Sequence, residues 1–184
     1  AATTATMKNG YTNTVFVPPY SQHIIGRVKF YNPVQYYVTA GGVAEAQLTQ
    51  GEVRTKVFDL ETINTALYEF VLGEPGFTVT SDLMVFTTDK NTGTVKQWSR
   101  TDAGLFEHTA DDAVYYHGTT ANGDASLTFG DGEYGTQLPK KATLPVRYIY
   151  SVGTQANDIL PGVRVQYTDY PNVAGETIET TTGG

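Results

Sequence analysis

The chain has 184 residues, a formal charge of −7, 40% hydrophobic residues and no cysteine. The missing cysteines exclude disulfides, thiolate metal sites and cysteine nucleophiles, and a balance this acidic, with Lys140-Lys141 the densest basic spot, argues against a sequence-independent grip on phosphate backbones. No apolar run reaches the ~20 residues of a membrane-spanning helix; thirteen Tyr beside 19 Gly and 8 Pro instead point to strands joined by tight turns.

The first stretch, AATTATMKNG, is Thr-rich with little to bury, so residues 1–13 read as a flexible leader. A short strand follows at Thr14–Val17, stopped by Pro18-Pro19, which cannot donate to a ladder. Arg27–Tyr31 and Gln35–Thr39 read as further short strands, separated by Asn32-Pro33 and ended by Gly41-Gly42. GEVRTKVFDL alternates imperfectly and reads as a strand, after which Asp59 can cap at most one helical turn before a strand at Ala66–Leu72. Leu83–Thr88 and Thr94–Ser99 form a predicted hairpin reversed by DKNTG, with Trp98 packed on the partner strand. A polar crossing, RTDAGLFEHTADD, leads to a second hairpin whose Asn122-Gly123 pair suits a type I′ turn. TLPVRYIYSV and Val163–Tyr167 supply the last strands, and residues 176–184 read as a flexible tail. The fold class is therefore mainly β, with irregular antiparallel sheets, hairpins and only short helical turns. Residues 14–175 form one β-rich domain, divisible into lobes at about 14–62 and 63–175.

Reactive chemistry is sparse. His23, His108 and His117 lie in unrelated contexts without metal-ligand spacing. Asp111-Asp112 reads as a solvated turn rather than an acid–base pair, and no Gly-x-Ser-x-Gly elbow is present. Gly130-x-Gly132-x-x-Gly135 satisfies a dinucleotide fingerprint only as text, because Pro139 and Pro145 forbid the helix whose N-terminus would meet a pyrophosphate. Asp131 and Glu133 lack the spacing of a calcium loop, which leaves them at most an adventitious ion. Turn chemistry accounts for the same residues: Phe129 ends a strand with its ring inward, Gly130 and Gly132 permit a turn, Asp131 accepts backbone N–H groups, and Gly135 lets a second backbone approach.

LTFGDGEYGTQLP, followed by a Lys-rich turn and LPVRYIYSVGTQAN, resembles the phage baseplate J-like family. The residues that carry the likeness are Phe129, Gly130, Asp131, Gly132, Gly135, Pro139, Tyr148, Gly153 and Asn157. Upstream, VFVPPYSQ, the Gly51-Glu52 step and, in part, FTVTSDLMVF are similar to family stretches in the same order. The family Asp is missing from its usual place in the last of these, and ETTTGG resembles the point where members enter a helical region.

The resemblance implies a non-catalytic structural subunit of a contractile-tail baseplate wedge, located in the virion and assembled in the host cytoplasm. Its implied partners are other baseplate and tail proteins, or copies of itself in a ring, with no nucleic acid, membrane span, small-molecule ligand or cofactor. It implies that the chain is a domain of a longer protein. Two other readings come from the residues alone. Abundant Tyr and one Trp would suit a carbohydrate- or receptor-binding module of a tail. An unpatterned carboxylate pair would be needed for a glycan hydrolase.

Overall fold

The fold is that of a computed structural model, which describes residues 2–73, 78–79, 83–151 and 159–178. It is mainly β, and it divides into two compact units that each take several stretches of the chain. One comprises Ala1–Val53, Thr78–Asp82 and Ile149–Gly184, the other Arg54–Phe77 and Leu83–Tyr148. The expected lobes at 14–62 and 63–175 are thus replaced by an interleaved division. The cause is long-range pairing that the local sequence does not announce.

The first unit is built on a closed barrel. Its strands are β1 (Ala2–Asn9), β3 (Gln22–Ile25), β4 (Val28–Tyr31), β6 (Val43–Gln50), β15 (Arg164–Tyr167) and β16 (Val173–Thr177), in the spatial order β1-β16-β15-β3-β4-β6. The short strands β2 (Val15–Val17) and β5 (Tyr36–Val38) form a separate antiparallel pair. Inward positions follow the two-residue period of a strand. Thr3, Ala5, Met7 and Asn9 of β1 are buried, as are Ala46, Leu48 and Gln50 of β6. They meet Ile25, Phe30, Val165, Tyr167 and Val173, together with Val15, Val17 and Val38. Residues 1–13, expected as a mobile leader, therefore include a core strand paired on both sides, with Ala5 opposite Thr177 and Ala46. Glu176 and Thr177, expected in the tail, likewise belong to β16. Closure of a barrel removes the free edge that an isolated Thr-rich strand would expose.

The second sheet contains β7 (Glu52–Asp59), β8 (Glu69–Val71), β10 (Met84–Asp89), β11 (Val95–Thr101), β12 (Val114–Thr119), β13 (Ala125–Phe129) and β14 (Ala142–Ser151). Its order is β7-β14-β10-β11-β12-β13-β8, and β9 (Thr78–Val79) pairs with β14. The sheet curls until its end strands approach each other. The Phe58 and Phe70 rings lie 5.2 Å apart, and Lys56 Nζ donates to the Val71 carbonyl at 2.8 Å. A carbonyl left open on an edge strand thereby gains a charged donor. The pairings of β10 with β11 and β14, of β13 with β12 and β8, and of β14 with β9 are antiparallel. By contrast, β11 and β12 run parallel (Arg100 opposite Tyr115) and are joined by the crossing at 102–113.

Both predicted hairpins are present, but the second reverses differently from expectation. Asn122 does not take the positive φ that a type I′ turn requires; only Gly123 does, at +87°. Gly123 N–H bonds the Thr120 carbonyl and Thr120 N–H bonds the Asp124 carbonyl, which is a type I turn completed by a glycine bulge. Asp59 caps a single 3₁₀ turn at Leu60–Thr62 by accepting from Glu61 N–H at 3.0 Å, as the sequence suggests.

Candidate functional site

Phe129 closes β13 at the centre of an aromatic cluster. It is fully buried, with Trp98 5.2 Å away at 89°, Phe70 5.6 Å away at 88°, and Tyr115 at 6.1 Å. Edge-to-face pairs of this kind add about 0.5–1.5 kcal/mol each beyond the area they bury. Trp98 stands opposite Val85 on the partner strand, and its indole N–H reaches Thr87 Oγ1 at 3.1 Å, so the ring is buried without losing its hydrogen bond.

The chain then turns through Gly130–Gly135. Asp131 Oδ1 accepts from the N–H groups of Glu133 and Tyr134, both at 2.9 Å. These bonds, Tyr134 first, hold the Asp131 carboxyl below the usual carboxylate range. Gly132 N–H closes the turn on the Gly135 carbonyl at 3.1 Å. Gly132 and Gly135 take φ of +98° and +80°, where a side chain would strain the backbone. Gly130 is required for a different reason: a Cβ there would fall on the Gly135 carbonyl and lie 2.5 Å from the Tyr134 oxygen. Beyond the turn, Thr136 N–H and Oγ1 donate to the carbonyls of Asp112 and Ala110, each at 2.8 Å. Gln137 bridges back to Gly130, and exposed Pro139 leads into β14, where Tyr148 is buried. A strand follows the glycines, so no helix N-terminus faces them. Gly153 and Asn157 lie outside the described residues.

The other candidates are also placed in structural roles. Asp112 Oδ2 accepts from Thr109 N–H and Oγ1 at 2.8 and 2.9 Å, which lowers its pKa and makes Asp111-Asp112 part of a turn. His108 Nε2 lies 2.7 Å from Thr101 Oγ1. His23 is buried in the barrel, where Nδ1 donates to the Ser21 carbonyl at 3.1 Å and Nε2 accepts from Tyr36 O–H at 2.7 Å. Its ring stacks on Tyr167 at 5.2 Å, and burial lowers its pKa to about 4. Among the described residues, no three His, Asp or Glu side chains are grouped so as to hold a metal ion.

One feature escapes sequence reading. Beside the glycine turn, Leu67, Phe106, Tyr116 and Tyr134 line an open, mostly apolar groove of about 280 Å³. Phe106 meets Tyr134 edge-on at 5.2 Å yet is 75% exposed, and Leu67 is 51% exposed. The only local signal was an apolar triplet, GLF, inside an otherwise polar crossing. Compared with known proteins, the chain matches no family model and no curated protein.

Proposed function

We propose that this chain is a non-catalytic structural subunit of the baseplate of a contractile phage tail, linking neighbouring baseplate proteins and relaying the rearrangement that triggers sheath contraction. The observation that carries the reading is the turn at Phe129–Pro139. Its side chains resemble a baseplate J-like marker, and each that lies in the turn itself braces backbone: Asp131 holds two N–H groups, and Gly130 admits the Gly135 carbonyl. An acidic loop whose carboxylate is already committed to its own backbone is suited to fixing a shape and poorly suited to turning over a substrate.

Cross-linking mass spectrometry on purified contractile tails tests this reading. Cross-links from the chain to other baseplate proteins are expected. Their absence in particles that contain the chain would refute it. A second reading, a carbohydrate- or receptor-binding module, is favoured by the exposed aromatic rings of Tyr37, Tyr68, Phe106 and Tyr116. Binding to host surface polysaccharide on a glycan array would select it.

A further inference from the structure

The apolar groove has two properties that structural economy does not explain. Large side chains are on show there, and one of them is held at a conformational cost. Leu67 has φ of +50°, a left-handed backbone that costs a residue with a Cβ about 1–2 kcal/mol. Strain of this kind persists where the surroundings enforce it, and it clusters at binding sites. Phe106, in the 3₁₀ turn Leu105–Glu107, is 75% exposed while its neighbour Leu105 is buried.

The charge around the groove is one-sided. None of the residues that line the groove is charged, and the residues next to them in the chain or in the sheet register include Glu but neither Lys nor Arg. Glu107 directly follows Phe106, Glu133 directly precedes Tyr134, and Glu69, whose Oε1 accepts from Ser126 Oγ at 2.7 Å, stands opposite Thr128 in the β8–β13 register; all three are exposed. An apolar cleft with exposed carboxylates next to its lining residues selects an apolar anchor carried between cations, because like charge there is repelled while the anchor removes the exposed rings from water.

We propose that this groove docks a protein segment that inserts one aromatic or branched aliphatic side chain flanked by Lys and Arg. The inference stands on the groove and its rim and does not rest on the baseplate reading; a baseplate subunit could make its contacts through other faces.

Display selection of random peptides on the intact chain tests it, with binding of the winners then followed by fluorescence anisotropy. Winning peptides are expected to share an apolar anchor with flanking Lys or Arg. Phe106→Ser should weaken them by about tenfold or more, as the loss of a central anchor does. Because Phe106 is mostly exposed, this variant keeps the fold, which unchanged Trp98 fluorescence verifies. The paired reversal Glu107→Lys with Glu133→Lys should weaken the same peptides by slowing association, and raising salt from about 50 to about 500 mM should do likewise. The proposal is overturned by winners without a basic bias, by binding indifferent to Phe106→Ser, or by a selection that yields no groove-directed peptide. Self-association of the chain that disappears in Phe106→Ser would give the groove to a second copy and also overturn it.

Discussion

Gly130→Ala separates the two reasons a glycine can be required. The added Cβ would fall on the Gly135 carbonyl and within 2.5 Å of the Tyr134 oxygen, both of them backbone that cannot swing aside. Overpacking of this sort costs about 1–3 kcal/mol, and pushing Gly135 away also breaks the Gly132 N–H bond to its carbonyl, about 1 kcal/mol more. The expected loss is therefore about 2–4 kcal/mol, or roughly 5–15 °C in melting temperature for a chain of this length. Gly132→Ala is the internal control. Its nearest neighbour, Gln137 Cβ, stands 3.6 Å off, so only the positive φ is penalised, at about 1–2 kcal/mol. Urea unfolding followed by the fluorescence of Trp98, the one tryptophan, reads the correct unit because that indole touches Phe129 at the mouth of the turn. A Gly130→Ala protein as stable as wild type, or more stable than Gly132→Ala, would refute the close-approach account.

Three further outcomes are expected. Burial lowers the His23 pKa from 6.5 to about 4, so the unfolded chain takes up the proton first as pH falls. The His23 contribution should lower stability by about 3 kcal/mol between pH 6.5 and 4 and add nothing further below, where the carboxylates of Asp112 and Asp131 continue the loss; an NMR midpoint for the His23 ring near 6.5 would contradict this. Tyr36→Phe removes the O–H that His23 Nε2 accepts and should cost about 1–2 kcal/mol in calorimetric melts, whereas an unchanged melt would mean that bond is not made in solution. Leu67→Asn keeps the left-handed backbone with a residue that tolerates it and should raise stability by about 0.5 kcal/mol in thermal melts; a clear loss would show that Leu67 is not strained.

What the sequence revealed followed how local each feature is. The turn around Asp131, the cap at Asp59 and the DKNTG reversal were legible because one side chain bonds N–H groups two or three residues away. Asp89 does this for Asn91 and Thr92 as Asp131 does for Glu133 and Tyr134. The strand in TLPVRYIYSV was legible because its alternate residues Leu144, Val146, Tyr148 and Tyr150 are all apolar or aromatic and all buried. The strands β1, β6 and β16 were not, because large apolar residues such as Met7, Leu48 and Val173 are interspersed there with small or polar inward ones such as Thr3, Ala5, Ala46 and Thr177. Their burial is decided by partners far along the chain, Ala5 against Thr177 among them. The groove was hidden for the same reason. Leu67, Phe106, Tyr116 and Tyr134 come from four separate segments, and no spacing rule joins them.

Immunogold electron microscopy of intact contractile particles decides whether the proposed baseplate role holds. An antibody raised against this chain should label the baseplate at the end of the sheath. Label confined to fibre tips, or particles that carry no label at all, would contradict it.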